Sequence, residues 1–156
     1  MYKALIRRQI RSQIAELNRG NFEPLRKTVA DDAELAFPGN NSWAGQFRAP
    51  RTGRASHTTH RGIAELVAFA ERFVAAGLQI DIDDIVINGG PGNTRIVARA
   101  TDVARDDDGR VVYENRVAIF IEARWGKIRR WEDYLDTEQV AAWDRALGIA
   151  REPATA

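Results

Sequence analysis

Apolar residues at the start of the chain follow the spacing of amphipathic helices. Between Tyr2 and Asn18 they recur every three or four positions with arginines between them, which predicts a helix ended by Gly20. A second helix is predicted over residues 22–30, and we expect Asp31-Asp32 to end it. The chain therefore opens with two helices.

A short strand, a long irregular stretch and a third helix are predicted next. Residues 33–37 read as a strand stopped by Pro38-Gly39, and residues 63–74 return to helical spacing. Between them, residues 40–60 show no period and many polar side chains, so we expect a long loop. Loops of this length in a compact domain are often binding segments, and the segment 39–60 is our candidate lid.

Beyond Gly77 the hydrophobic period changes to two, the spacing of β-strands. Four strands separated by Gly- and Asp-rich turns are predicted, then a closing helix over 138–147 and a frayed tail over 151–156. The predicted strands are 79–87, 94–104, 111–123 and 127–135. Helices followed by a run of strands indicate an α+β fold, with helices on one face of a strongly curved, mainly antiparallel sheet that encloses a cone-shaped pocket.

Length, charge and cysteine content limit the function classes. The chain has 156 residues, a net charge of +1 and no cysteine, which indicates one domain over residues 1–150 and excludes disulfides and thiolate nucleophiles. Basic residues dominate residues 1–61 but are not interleaved with stacking aromatics, so we expect no nucleic-acid partner. No apolar run spans a bilayer, and Arg7-Arg8 interrupts any signal-peptide core, so we expect a cytoplasmic protein without membrane partners.

Strand alternation selects a candidate pocket. Side chains two apart along a strand share a face, so Arg129, Trp131 and Asp133 form one row. If the rows of the neighbouring strands also face the helices, the pocket is apolar and Asp133 and Arg99 are its charged pair. The remaining residues of the candidate pocket on these strands are Thr101, Val103, Tyr113, Asn115 and Val117.

Each polar group of this pocket also has a structural interpretation. Asp133 either binds or transforms a ligand, or it only orders the end of the sheet. Arg99 either orients a substrate or neutralises Asp133, and Thr101 and Asn115 are also explained as hydrogen-bonded core residues. The sequence leaves these alternatives open.

Two histidines three positions apart stand where the long loop meets the third helix. A shared metal needs a further ligand that is not evident, so His57 and His60 are better explained as polar residues at a helix entry. We expect neither a metal nor a cofactor. Together with Trp43, these histidines are candidates to close over the pocket as part of the lid.

Several motifs carry a resemblance to a known family. They are the order of elements, the step Asp31-Asp32-Ala33 into a strand stopped by Pro38-Gly39, Tyr113-Glu114-Asn115, and the stretch from Trp125-Gly126 to Leu135-Asp136. With them the chain resembles the SnoaL-like branch of the nuclear transport factor 2 / ketosteroid isomerase superfamily. The resemblance covers nearly the whole chain and implies one cone-shaped domain over residues 1–150, with an enclosed pocket and a homodimer formed through the open sheet face.

The resemblance argues against ketosteroid isomerisation. These isomerases place a general-base aspartate immediately before the proline that ends the first strand, where this chain has Phe37. Their oxyanion-hole acid falls near Ala118. Since enolisation needs a base and a donor to the oxyanion, the usual mechanism is not expected.

Limonene-1,2-epoxide hydrolases share more of the motif. Their aspartate–arginine–aspartate set matches Asp133 and Arg99, but the second aspartate, two residues after the arginine, is Thr101 here. Their water-holding positions on the first strand are Leu35 and Phe37, which are then apolar members of the pocket lining. An epoxide hydrolase is therefore an alternative function.

SnoaL-like polyketide cyclases need a single aspartate as acid and base, and Asp133 is the candidate. The expected function is isomerase, cyclase or dehydratase chemistry on a hydrophobic carbonyl compound, with Asp133 as acid/base and Arg99 orienting it. A non-catalytic binding protein for a small hydrophobic molecule is the third interpretation. The sequence identifies no substrate and leaves open whether the protein is catalytic.

Overall fold

A computed structural model describes residues 1–38 and 57–147 of the chain. Three helices, Tyr2–Asn18 (α1), Gly62–Ala75 (α3) and Thr137–Ala146 (α4), together with the short helix Glu23–Thr28 (α2), accompany six strands. The strands are Val29–Pro38 (β1), His57–Arg61 (β2), Leu78–Gly90 (β3), Asn93–Arg105 (β4), Val111–Arg124 (β5) and Lys127–Leu135 (β6). No described helix is both long and apolar enough to cross a membrane. The predicted tail lies outside the described residues.

The strands form one open sheet in the order β2-β1-β6-β5-β4-β3. Consecutive strands β3 to β6 pair antiparallel as a meander, and β1 runs parallel to β6. The apolar faces of α1 and α3 are part of the same buried core as the inner side of this sheet. The predicted α+β fold with helices on a curved, mainly antiparallel sheet is confirmed.

Two predicted boundaries are wrong. The second helix ends at Thr28, and residues 29–38 form β1, so Asp31-Asp32 lies within a strand with both side chains exposed. Buried Val29 pairs with Ile128 of β6, and this tertiary contact overrides the local helical signal. Residues 57–60, predicted as loop, belong to β2, which pairs antiparallel with β1.

Helix α1 also covers the free edge of the sheet at β3. The Asn18 side chain donates to the carbonyl of Ile80 and accepts from its N–H, both at 2.9 Å, as a neighbouring strand would. Arg11 donates to the carbonyl oxygens of Ile82 and Asp83, and Arg7 donates to that of Ile85. Because an uncovered edge invites pairing with another chain, the polar face of α1 protects β3.

Candidate functional site

Asp133 lies on the inner side of β6, buried among apolar neighbours and only 8% exposed. The indole Nε1–H of Trp131, two residues earlier on the strand, donates to its Oδ1 at 2.6 Å. Burial raises the pKa of Asp133 to about 7, and the hydrogen bond from Trp131 opposes that rise. This carboxyl group therefore exchanges a proton near neutral pH.

A second buried carboxyl group, which the sequence interpretation missed, belongs to Asp102 of β4. It is 5% exposed and follows Ala98 and Ala100 along the inner row of the strand. Burial raises its pKa well above the usual value, and the negative charge of Asp133 raises it further. No hydrogen bond to another residue of the described ranges engages this carboxyl group.

The predicted pairing of Arg99 with Asp133 is wrong. Arg99 and Thr101 alternate with the buried row of β4, and the Arg99 side chain is 74% exposed with its Nε 3.7 Å from Oδ2 of Asp83. Val103, although buried, alternates with Asp102 in the same way. Val103 is apolar, and its row was therefore predicted to face the core. The row that faces the helices on the concave side carries alanines instead.

Asn115 and Tyr113 face the core, and the hydrogen bonds of Asn115 support its interpretation as a structural residue. The amide of Asn115 donates to the Asp136 carbonyl at 2.8 Å and accepts from the Asp136 N–H at 3.3 Å. It also donates to the Tyr113 hydroxyl at 3.0 Å. Asp136 caps α4, so these bonds fix the start of the last helix.

The apolar candidates other than Val103 occupy the inner face. Leu35, Phe37 and Val117 are buried in the core, and the ring of Phe37 lies 4.8 Å from that of Phe69 on α3. Trp131 is half-buried and packs against the same core. In contrast, the row predicted for β6 is interrupted, because a register shift between β5 and β6 leaves Arg129 exposed, where it contacts Asp32.

His60 lies in β2 rather than in a loop and is completely buried. Its Nδ1 is 4.0 Å from Oε2 of Glu65, and its ring centroid is 5.5 Å from that of Phe69. The side chain of His57 and all of Trp43 lie outside the described residues, as do residues 39–56 of the candidate lid predicted over 39–60. Within the described ranges no three metal-binding side chains cluster.

A cavity of about 50 Å³ lies between α1, α2 and strands β4 to β6. Of the predicted pocket residues only Trp131 lines it, and neither Asp102 nor Asp133 does. Trp131 therefore borders the cavity while its Nε1 contacts Asp133. Six of the sixteen residues that line it are isoleucines: Ile6, Ile10, Ile14, Ile96, Ile121 and Ile128.

The arrangement brings together two carboxyl groups without a buried basic partner. All described arginines and lysines are exposed. Because two negative charges in a low-dielectric interior repel each other and are poorly solvated, the pair retains a proton near neutral pH. One carboxyl group is then available as a base while the other remains an acid.

Comparison with known proteins places this geometry in a family. No curated protein matches the chain. Among solved structures, a loop-truncation variant of IdmH is 20% identical over 86% of this chain and 94% of that chain, with a TM-score of 0.62. An NTF2-like protein of unknown function from Burkholderia pseudomallei is 18% identical over 88% of this chain and 93% of that one, with a TM-score of 0.63.

A third structure, TerC co-crystallized with polyporic acid, is 19% identical over 90% of this chain and 96% of that chain, with a TM-score of 0.62. At these identities the likeness shows the fold alone. A family model described as the SnoaL-like domain matches residues 10–131, most of the chain, and confirms the resemblance seen in the sequence. The chain belongs to the SnoaL-like domain family.

Proposed function

We propose that the protein is an acid–base enzyme acting on a hydrophobic carbonyl compound, with Asp133 as the base and Asp102 as the acid. The observation that carries the proposal is the pair of inward-facing buried carboxyl groups with raised pKa values and no buried arginine or lysine in the described ranges. Strongly perturbed carboxyl groups are the means by which proteins perform proton transfer near pH 7.

The surroundings of each carboxyl group favour this division of roles. The hydrogen bond from Trp131 stabilises the ionised form of Asp133. Once Asp133 is ionised, its charge raises the pKa of Asp102, which stays protonated. Below neutral pH Asp133 becomes protonated as well, and the base is lost.

The reaction class follows from these two states. The Asp133 carboxylate removes a proton from the carbon next to the substrate carbonyl, and the Asp102 carboxyl group donates its proton to the developing enolate oxygen. Isomerisation is completed when Asp133 delivers the proton it removed to another carbon of the enol and the enol O–H proton returns to Asp102. Cyclisation is completed when the enol carbon attacks a second carbonyl of the same molecule, the proton on Asp133 passes to the new alkoxide oxygen, and the enol O–H proton returns to Asp102.

Hydrogen–deuterium exchange tests the proposal without a known substrate. Each member of a panel of hydrophobic ketones is incubated in D₂O with the protein, and deuterium gain next to the carbonyl is followed by NMR. We expect exchange with the unmodified chain and its loss in Asp133→Asn and Asp102→Asn. The matched control is Arg99→Ala, which removes an outward-facing charge and leaves exchange unchanged.

Two outcomes contradict the proposal. Equal exchange in all four proteins means that the carboxyl pair does not catalyse proton transfer. Saturable ketone binding without exchange in any of them supports the alternative of a non-catalytic binding protein.

Epoxide hydrolysis is a second candidate because Asp102 supplies the buried acid that Thr101 could not. If Asp102 takes the place of the second aspartate, however, the arginine position two residues earlier is Ala100, and the water-holding positions are the buried Leu35 and Phe37. Oxygen from labelled water appears in the product of a hydrolase and not in that of an isomerase.

We also propose a homodimer formed through the outer sheet face. Phe120 and Tyr134 are 43% and 44% exposed there, in edge-to-face contact at 5.4 Å. Arg95 and Glu122 flank them and give the face both signs of charge, which is compatible with a self-complementary two-fold interface. Sedimentation of Phe120→Arg tests this: we expect a monomer, and an unchanged mass contradicts the proposed face.

A further inference from the structure

The cavity between α1 and the sheet carries an inference that does not depend on catalysis by Asp133 and Asp102. Among the described residues that line it, none carries a carboxylate, ammonium or guanidinium group. A charged ligand placed there would lose its hydration without a counter-charge, which is costly. The cavity therefore favours a neutral occupant.

Two glutamines on α1 supply the polarity of this cavity. Gln9 and Gln13 are one helical turn apart, so both side chains lie on the face that lines the cavity. Both are half-buried, and no hydrogen bond to another described residue engages either amide.

The other polar groups of the lining are already engaged. Tyr2 hydrogen-bonds Thr94 at 2.5 Å, Thr94 donates to the Gly90 carbonyl, and Thr28 donates to the Pro24 carbonyl. The indole of Trp131 is committed to Asp133. The two amides are thus the free hydrogen-bonding groups among the described lining residues.

We propose that this cavity binds a neutral, mainly hydrocarbon molecule or fragment that carries one carbonyl or hydroxyl group, held by Gln9 and Gln13. A volume of about 50 Å³ accommodates a group of a few non-hydrogen atoms, since a cavity that holds a single water needs roughly 10–15 Å³. Isoleucine side chains surround the hydrocarbon part, and the amides meet its oxygen.

Methyl NMR of the protein labelled at its isoleucine δ1 carbons tests the site with three probes of one shape: acetone, isobutene and acetate. We expect saturable shifts at the isoleucines of the lining with acetone and isobutene and none with acetate. Ile63, Ile85 and Ile87, which do not line the cavity, should remain unshifted.

Two variants separate the amides from the volume. Gln9→Met/Gln13→Met keeps side-chain length and removes both amides, so we expect acetone to bind roughly fivefold more weakly and isobutene to bind no more weakly than before. Ala123→Leu fills the cavity and should abolish binding of both probes. Ala4→Leu makes the same change on the exposed face of α1 and is the matched control.

Several results would overturn the inference. They are the absence of saturable shifts, shifts centred on Ile63, Ile85 or Ile87, binding of acetate as tight as that of acetone, and unchanged acetone affinity in the glutamine variant. If Ala123→Leu fails to fold by thermal unfolding, the glutamine variant decides alone. Neither experiment measures turnover, so failure here is distinguishable from failure of the proposed reaction.

Discussion

The charged side chains on the two faces of β4 have opposite surroundings. On the outer face Arg99 lies near Asp83 and Arg95 near Glu122, at 3.7 and 3.9 Å, with all four side chains exposed to water. On the inner face Asp102 is buried and interacts with a second carboxylate instead of a cation. Water screens the outer pairs, whereas burial and the charge of Asp133 raise the pKa of Asp102, so the inner face is where chemistry is expected.

The largest effect should come from removing the inner charges. In the deuterium-exchange assay we expect Asp133→Asn and Asp102→Asn each to lower the rate by roughly 10²–10⁴, the usual contribution of a positioned acid or base. Because the two carboxyl groups act on one substrate, the double variant should lose little more than either single variant. Strictly multiplicative losses would show instead that the two groups act independently.

The Asp133→Asn substitution should also make the protein more stable at alkaline pH. The pKa of Asp133 is about 7 in the fold against 3.8 when unperturbed, so the folded state binds the proton more tightly, and its stability falls as pH rises from about 4 to 7. Asp133→Asn removes this cost and keeps an acceptor for Trp131, so urea unfolding at pH 8 should show a gain of up to about 4 kcal/mol.

At pH 4, where Asp133 is protonated in the fold and the linkage term is nearly absent, the gain should largely disappear. Equal stabilisation at both pH values would mean that ionisation of Asp133 is not its origin. Loss of stability at pH 8 would favour the interpretation that Asp133 orders the end of the sheet.

A smaller effect should follow from Trp131→Phe, which keeps an aromatic ring and removes the donor to Asp133. Losing a hydrogen bond to an ionised group should raise the pKa of Asp133 further, by roughly one unit. The acid limb of the pH–rate profile should then move to higher pH while the alkaline plateau is nearly retained. An unmoved limb with a uniformly lower rate would assign Trp131 to packing alone.

Local periodicity predicted most elements because the apolar residues of a helix or an alternating strand repeat within a few positions. The bounds of α1 and of β6 match the predicted ones. Strand β2 was not predicted because His57–Arg61 is polar throughout, and it forms a strand through its pairing with β1. Alternation within the segment gives no sign of that pairing.

The inward position of Asp102 was not predicted for a different reason, which the hairpin between β4 and β5 explains. Asn115 and Val117 of β5 are buried, and their partners across the hairpin are Asp102 and Ala100. Directly opposed residues share a face, so the register places Asp102 inward. Val97 and Val103 make the other row of β4 the more apolar one. The pattern of a single strand, without its register against β5, therefore predicts the wrong inward row.

The smallest effect is expected on the outer face, where Arg99 and Asp83 are 74% and 53% exposed. Such pairs contribute at most about 1 kcal/mol because water and salt screen them. In urea unfolding at low salt, Arg99→Ala and Asp83→Asn should therefore each change stability by less than this, and their coupling in a double-mutant cycle should vanish in 0.5 M salt. A coupling that resists salt would contradict this prediction and show that the pair is shielded from water, for example by the second copy in the proposed dimer.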